Sequence, residues 1–369
     1  MLGRSSESQA TTTKQKSSAK KSIFVITGGT PGGRIGAKLW KELPEQLKAI
    51  TQIYNISTNH RDYEIVKAAI GDEINNISTI FIKDNGFAGE REYAKNQLDT
   101  LVPKVLEALA PDIEENEPQI FIVIYAAGGG TAPIVEQVVR EIRALGSQTG
   151  GVPISDRILE IVITPDGTAT YQEENSREWL RAFEDDEWRH SYLFSNRQKV
   201  TTLSALNTKL LRAIIPLMYQ FVVAMEPVNF VRQFNSKVSL GTIGFAALDS
   251  DKIPKELVAD KAQQVTRDAF TQPTSGIDSR TFSPLLRAKQ NIFALATAAE
   301  GSGTEDIKRG VDAEITNFAA VNNLTNLNKL SVVQLISGWP EISVAVAYDV
   351  LEEDVGSFLG TRKTNEEAV

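Results

Sequence analysis

Short apolar runs alternating with helix-length amphipathic segments constrain this chain more than any other feature. The runs are Ile23 to Thr27, Ile50 to Ser57, Ile77 to Ile82, Ile120 to Ala126 and Ile158 to Ile163. They are largely continuous rather than alternating, which marks strands covered on both faces and so a parallel sheet. Helical patterns separate them at about Arg34 to Leu43, Glu90 to Leu109 and Pro133 to Leu145. In the second of these, Leu98, Leu101, Val102, Val105 and Leu109 fall on one stripe. Strands each followed by a helix predict an α/β fold with helices on both faces of the sheet.

Beyond residue 203 the pattern changes. Ser204 to Met225 is a long apolar helical stretch containing Pro216, which is expected to kink it. Val238 to Leu248 reads as strand, Lys255 to Phe270 as helix, Asn291 to Ala298 as strand and Glu305 to Val321 as helix. Leu330 to Ile336 and Ile342 to Tyr348 follow as two strands, and Ser337 to Glu341 between them has the look of a hairpin turn. A chain of 369 residues is long enough for two domains. The expected division is a disordered, weakly basic arm over 1–21, a parallel-sheet nucleotide-binding domain over 22–203 and a long central helix over 204–226. A smaller α+β domain for assembly over 227–359 and a flexible tail over 360–369 complete it.

Composition removes several function classes. There is no cysteine, so disulfides, thiolate zinc sites and cysteine nucleophiles are excluded. With His60 and His190 as the two histidines, neither a histidine-rich metal site nor a histidine-based triad is expected. A net charge of -8 does not suit a dedicated nucleic-acid binder. No apolar run approaches the ~20 residues needed to cross a bilayer. Met1 to Lys21 lacks the apolar stretch of a secretory signal, and a cytoplasmic location is expected.

Two glycine clusters carry the functional signal. Gly28-Gly29-Thr30-Pro31-Gly32-Gly33-Arg34-Ile35-Gly36 follows the first strand and opens a helix. Such a turn lets backbone approach phosphate closely, and the helix N-terminus offers free amides to negative charge. Gly128-Gly129-Gly130-Thr131 repeats the arrangement after the strand ending at Ala126. In a parallel sheet ligands sit beyond the carboxyl ends of the strands, so both clusters fall on one edge. The Thr131 hydroxyl suits either a helix cap or a phosphate.

The order of these motifs resembles the tubulin/FtsZ family, whose signature is G-G-G-T-G-[ST]-G. Arg34 to Trp40 is similar to the run after that family's first glycine loop, and Asn85-Gly86-Phe87-Ala88-Gly89 is similar to its third phosphate-side loop. Gly241 to Ala246 and Asn291 to Ala296 resemble strands of its second domain, so the likeness extends over roughly residues 22–350. The resemblance implies GTP or GDP held between glycine loops, magnesium with a triphosphate, and head-to-tail assembly of copies of the chain into filaments. Gly28, Gly29, Thr30, Gly32, Gly33, Arg34, Gly86, Ala88, Gly89, Gly128, Gly129, Gly130 and Thr131 become the candidate phosphate-side residues. Asn207, at the head of the long helix, is the better match to the family's base-reading Asn, with Asn196 as a rival. Glu173 or Glu174 is the candidate for the ribose hydroxyls. The arm and tail are candidates for adaptor binding.

Two departures stand out. Ala132-Pro133 replaces the last three signature residues, shortening the second loop. The family's acidic N-x-D-x-x-[DE] pattern, which orients the attacking water, is matched best by Asn229-Phe230-Val231-Arg232-Gln233-Phe234. Asn229 fits, but Val231 and Phe234 stand where carboxylates are needed and cannot hold a water. Glu226 is a substitute only on a different loop path, and Arg232 is either a contact to phosphate across an interface or an exposed surface cation. Hydrolysis is therefore expected to be slow or absent. A non-catalytic scaffold that assembles without nucleotide is one alternative. Another is a short-chain dehydrogenase, suggested by Thr27-Gly28-Gly29 with Arg34-Ile35-Gly36, although Tyr63 with Lys67 lies too early for its catalytic pair.

Overall fold

The computed structural model describes residues 20–83, 85–116, 120–145, 157–165, 170–184, 191–195, 203–223, 240–249, 253–271 and 288–351. These form one sheet of ten strands in the order β3-β2-β1-β4-β5-β6-β7-β10-β8-β9. The strands are β1 (Ile23–Gly28), β2 (Thr51–Ser57), β3 (Ile77–Phe81), β4 (Ile120–Ala126), β5 (Ile158–Thr164), β6 (Ser191–Ser195), β7 (Leu240–Asp249), β8 (Ala288–Ala299), β9 (Asn328–Ile336) and β10 (Glu341–Val350). From β3 through β7 every pairing is parallel. β10 then pairs antiparallel with both β7 and β8, and β8 pairs parallel with β9. The α/β architecture expected from the apolar runs is what the chain adopts.

Helices cover both faces: α1 (Gly29–Glu42), α2 (Glu45–Ile50), α3 (His60–Ile70), α4 (Arg91–Lys95), α5 (Leu98–Asn116), α6 (Ala132–Leu145), α7 (Thr170–Glu184), α8 (Leu203–Val223), α9 (Val258–Thr271) and α10 (Thr304–Val321). One apolar cluster joins the sheet to α5, α6, α7, α9 and α10, and another joins it to α1, α3 and α8. β1 and β4 are buried along nearly their whole length, which is why they read as continuous apolar runs.

Several local expectations are corrected. The helix expected from Arg34 begins at Gly29, so Gly32, Gly33 and Gly36 lie inside α1. Glycine costs helical stability, but here it permits close approach: a Cβ on Gly32 would stand 2.7 Å from the Ile124 carbonyl oxygen. The single helix expected over Glu90 to Leu109 is two, α4 and α5. α8 runs continuously through Pro216. β9 and β10 are not a hairpin, because β8 lies between them. Strands two apart in a sheet are separated by roughly 10 Å, which the Ser337 to Pro340 connection can cross. The sheet itself continues across the expected division of the chain, since β6 pairs with β7. An ion pair of 2.7 Å between Arg212 on α8 and Glu341 on β10 also ties the long helix to the second half.

β2 and β3 lie on one side of β1, and β4 with β5 on the other. That reversal leaves a crevice beyond the carboxyl ends of β1 and β4.

Candidate functional site

A cleft of ≈ 630 Å³ opens at this reversal point. Its walls come from the turns after β1, β2, β3 and β4, the end of β5 and the first turn of α7. Gly28, Gly29, Thr30, Gly86, Ala88, Gly89, Gly128, Gly129, Gly130 and Thr131 all line it. The structure therefore brings the three glycine-bearing turns to one place. Other proposed residues lie elsewhere. Gly32 and Gly33 are buried within α1, and Arg34 is exposed on it; none of these lines the cleft. Glu173 is half-buried on α7, 3.9 Å from Arg177, one residue beyond the lining residue Gln172. Glu174 is exposed. Asn207 is half-buried on α8 and is not part of the lining. Asn196, Glu226, Asn229 and Arg232 lie outside the described residues.

Backbone conformation explains why these turns need glycine. Gly29, Gly86 and Gly89 have φ of 65°, 66° and 83°, and Ala88 between them has φ of 49°, where a side chain is unfavourable. The turns also pack tightly. A Cβ on Gly130 would lie 2.8 Å from Phe87 Cβ, and one on Gly128 would lie 2.9 Å from the Gln172 carbonyl oxygen. No side chain caps the start of α1, so its first amides remain available at the cleft.

Polar side chains fix the walls. The Thr30 hydroxyl donates to Asp62, an acid in the first turn of α3. Thr58 and Thr131 share a hydrogen bond of 3.1 Å between hydroxyls. The Gly86 amide donates to the Thr58 carbonyl, holding the third turn against the second. The Asn175 side-chain amide donates to the carbonyls of Gly89 and Gly128, at 2.7 and 3.0 Å. Behind the turns, Arg91 at 2% exposure meets Glu136 at 2.6 Å and Glu178 at 3.6 Å, joining α4, α6 and α7. At the foot of the third turn the Lys83 ammonium stands over the rings of Tyr93 and Phe87. Lys83 and then Gln97 hold the Tyr93 phenol below its ordinary pKa. Asp62, Asn59, Tyr171 and Gln172 join the lining unannounced by sequence; an N-cap Asn after a strand is the one signal that marked the start of α3.

No protein-family model matches the sequence, and no curated protein matches it. Comparison of folds gives a different result. CetZ2 of Haloferax volcanii, in a GTPγS-bound protofilament, superimposes with a TM-score of 0.68 at 14% identity, covering 92% of this chain and 96% of that one. This chain has the tubulin/FtsZ fold. A CetZ from Methanosaeta thermophila gives 0.67 at 13% identity over 93% and 89% of the two chains. An FtsZ variant from M. jannaschii gives 0.62 at 15% identity over 90% and 92%. The likeness covers about nine-tenths of this chain and so is not confined to its first half. Among the described residues, no helix is long and apolar enough to cross a membrane, and no cluster of three or more acidic or histidine side chains is grouped to hold a metal.

Proposed function

We propose that this chain binds a guanine nucleotide with its phosphates in the cleft, assembles head-to-tail into cytoskeletal protofilaments, and hydrolyses the nucleotide slowly or not at all. The observation that carries the reading is the meeting of three glycine-bearing turns and the uncapped start of α1 in one cleft. Backbone amides gathered without side chains in front of them suit oxyanions. The cleft volume falls in the usual ~300–1,000 Å³ range for ligand sites.

Among the described lining residues there is no lysine or arginine, and Asp62 is the one carboxylate. Neutralising a polyphosphate here falls to amides, the α1 dipole and a divalent cation. Magnesium supplies positive charge between phosphate oxygens when bound. Asp62 and the hydroxyls of Thr30 and Thr131 are the residues that would face it. The fold argues for guanine, with Asn207 or Asn196 as its reader and Glu173 or Glu174 near the ribose. Assembly is supported by likeness to a protein seen as a protofilament. In that reading residues 22–203 bind the nucleotide and 227–359 carry the assembly surface. Slow turnover is supported by Val231 and Phe234 standing where the pattern calls for acids. The dehydrogenase reading has no such support: Tyr63 packs on Phe81 instead of lining the cleft.

One observation favours nucleotide-independent assembly as a second reading. In the second turn the amides of Gly129, Ala132 and Ile134 donate to the carbonyls of Ala126, Gly129 and Thr131, and Pro133 has no N–H, so few amides are left for a phosphate. The test is sedimentation of the purified chain with GTP, GDP or no nucleotide, with released phosphate followed in the same tube. GTP-dependent pelleting with little phosphate is expected. Equal pelleting without nucleotide would favour the second reading, and brisk phosphate release would overturn the slow-turnover assignment.

A further inference from the structure

We propose that Asn175 is a positioning residue that sets the spacing between two of the cleft's turns, so that nucleotide affinity depends on one side-chain amide that touches no ligand. The inference rests on the nucleotide reading above. Gly89 ends the third turn and Gly128 opens the second glycine cluster; the two turns come from β3 and β4, which are not neighbours in the sheet. The Asn175 Nδ2 donates to the carbonyl oxygens of both. Two hydrogens on one nitrogen are thereby used on two different segments of chain. The amides on the far side of the same two peptide units, those of Glu90 and Gly129, donate within their own turns to the Phe87 and Ala126 carbonyls, so each turn is a closed unit whose position is set where Asn175 holds its carbonyl.

The rest of α7 makes the amide a fixed point. Trp179, at 0% exposure, donates from its indole nitrogen to the Tyr125 hydroxyl at 2.8 Å. Tyr125 donates in turn to the fully buried Glu160 at 2.6 Å, which also accepts from Ser191 at 2.7 Å. These bonds anchor α7 one turn beyond Asn175 to β4, β5 and β6. On the other side Tyr171 and Gln172 occupy the space that side chains on Gly89 and Gly128 would need. α7 is therefore a rigid bar laid across both turns, and Asn175 is where it is fastened to them. A Cβ on Gly130 would press on Phe87 and Gly89, so packing sets a minimum distance, and Thr58 links Gly86 with Thr131 at the other end of the turns; Asn175 adds the tie at Gly89 and Gly128.

The experiment uses the full-length chain and a fluorescent GTP analogue, titrated in magnesium well below the melting temperature. Asn175→Ala removes both bonds while placing a strong helix former in α7. Asn175→Asp keeps the shape but turns an acceptor toward two carbonyls. Ser176→Ala is the control, because Ser176 is buried beside it and its hydroxyl donates to the Gln172 carbonyl of the same helix. Affinity is expected to fall about tenfold in Asn175→Ala and further in Asn175→Asp, with at most a twofold change in Ser176→Ala. Amide hydrogen exchange over 85–89 and 127–131 is expected to speed up in Asn175→Ala and not in Ser176→Ala. Should Asn175→Asp fail to fold, Asn175→Ala decides. Unchanged affinity and unchanged exchange in Asn175→Ala would overturn the positioning role. Wild-type protein that binds no nucleotide would instead overturn the reading on which it rests.

Discussion

In the turn after β1, Gly28 and Gly29 line the cleft while Gly32, Gly33 and Gly36 lie inside α1; after β4, all of Gly128, Gly129 and Gly130 line it. The clusters look alike in sequence, yet much of the first has a packing task. Gly32 lets α1 rest on the Ile124 carbonyl, and Gly33 lets it pass Val66 and Asn55. A glycine-rich phosphate signature therefore combines two demands, backbone exposed to ligand and backbone pressed on backbone. Only the spatial neighbours of each glycine separate them.

Substitutions can break this comparison, the largest effect coming first. Gly32→Val places a branched side chain against backbone and is expected to cost about 3 kcal/mol of stability. Urea denaturation measures the loss, and GTP affinity of the folded fraction is expected to stay within about twofold of wild type. A stable Gly32→Val protein with poor affinity would show that this glycine serves the ligand after all. Gly130→Ala should do the reverse: its Cβ would press on Phe87 and Gly89, parting two turns, and affinity should drop about tenfold with a stability cost near 1 kcal/mol. Gly29→Ala makes only an ordinary contact with Thr131 at 3.4 Å but requires φ of 65°, so about 1 kcal/mol of stability and a few-fold loss of affinity are expected. Asp62→Asn has the smallest effect. Removing the one carboxylate among the described lining residues should strengthen triphosphate binding about threefold in EDTA and weaken it in magnesium, as isothermal titration would show. A change of the same sign in both conditions would mean that Asp62 faces neither phosphate nor cation.

Legibility followed the kind of interaction that holds each element. β1 and β4 were readable because burial on both faces writes itself as a nearly unbroken run of aliphatic and aromatic residues, and β5 follows suit but for Glu160. The turns after β1 and β3 were readable because a positive φ excludes most other residues, and the turn after β4 because close packing leaves no room for a Cβ on Gly128 or Gly130. α7 was not. Its sequence, Thr170 to Glu184, is mostly polar, and its described side chains Asn175, Glu178 and Trp179 fasten it through hydrogen bonds and an ion pair that have no periodicity. Asp62 was missed for a related reason, since an acid in the first turn of a helix is ordinary until tertiary packing turns it toward a cleft. The hairpin expected at Ser337 to Glu341 failed because a short connection specifies nearness and not pairing. β10 is buried at every residue while β9 is half-exposed, so β10 takes the interior and β9 the edge.

The central claim is that the cleft holds a guanine nucleotide by its phosphates, and equilibrium titration of the full-length wild-type chain with GTP, GDP and ATP in magnesium tests it most directly. Saturable binding of GTP and GDP, at least about tenfold tighter than ATP and weakened by Gly130→Ala, is the predicted result. No saturable binding of any of the three, or equal binding that Gly130→Ala leaves untouched, would contradict it.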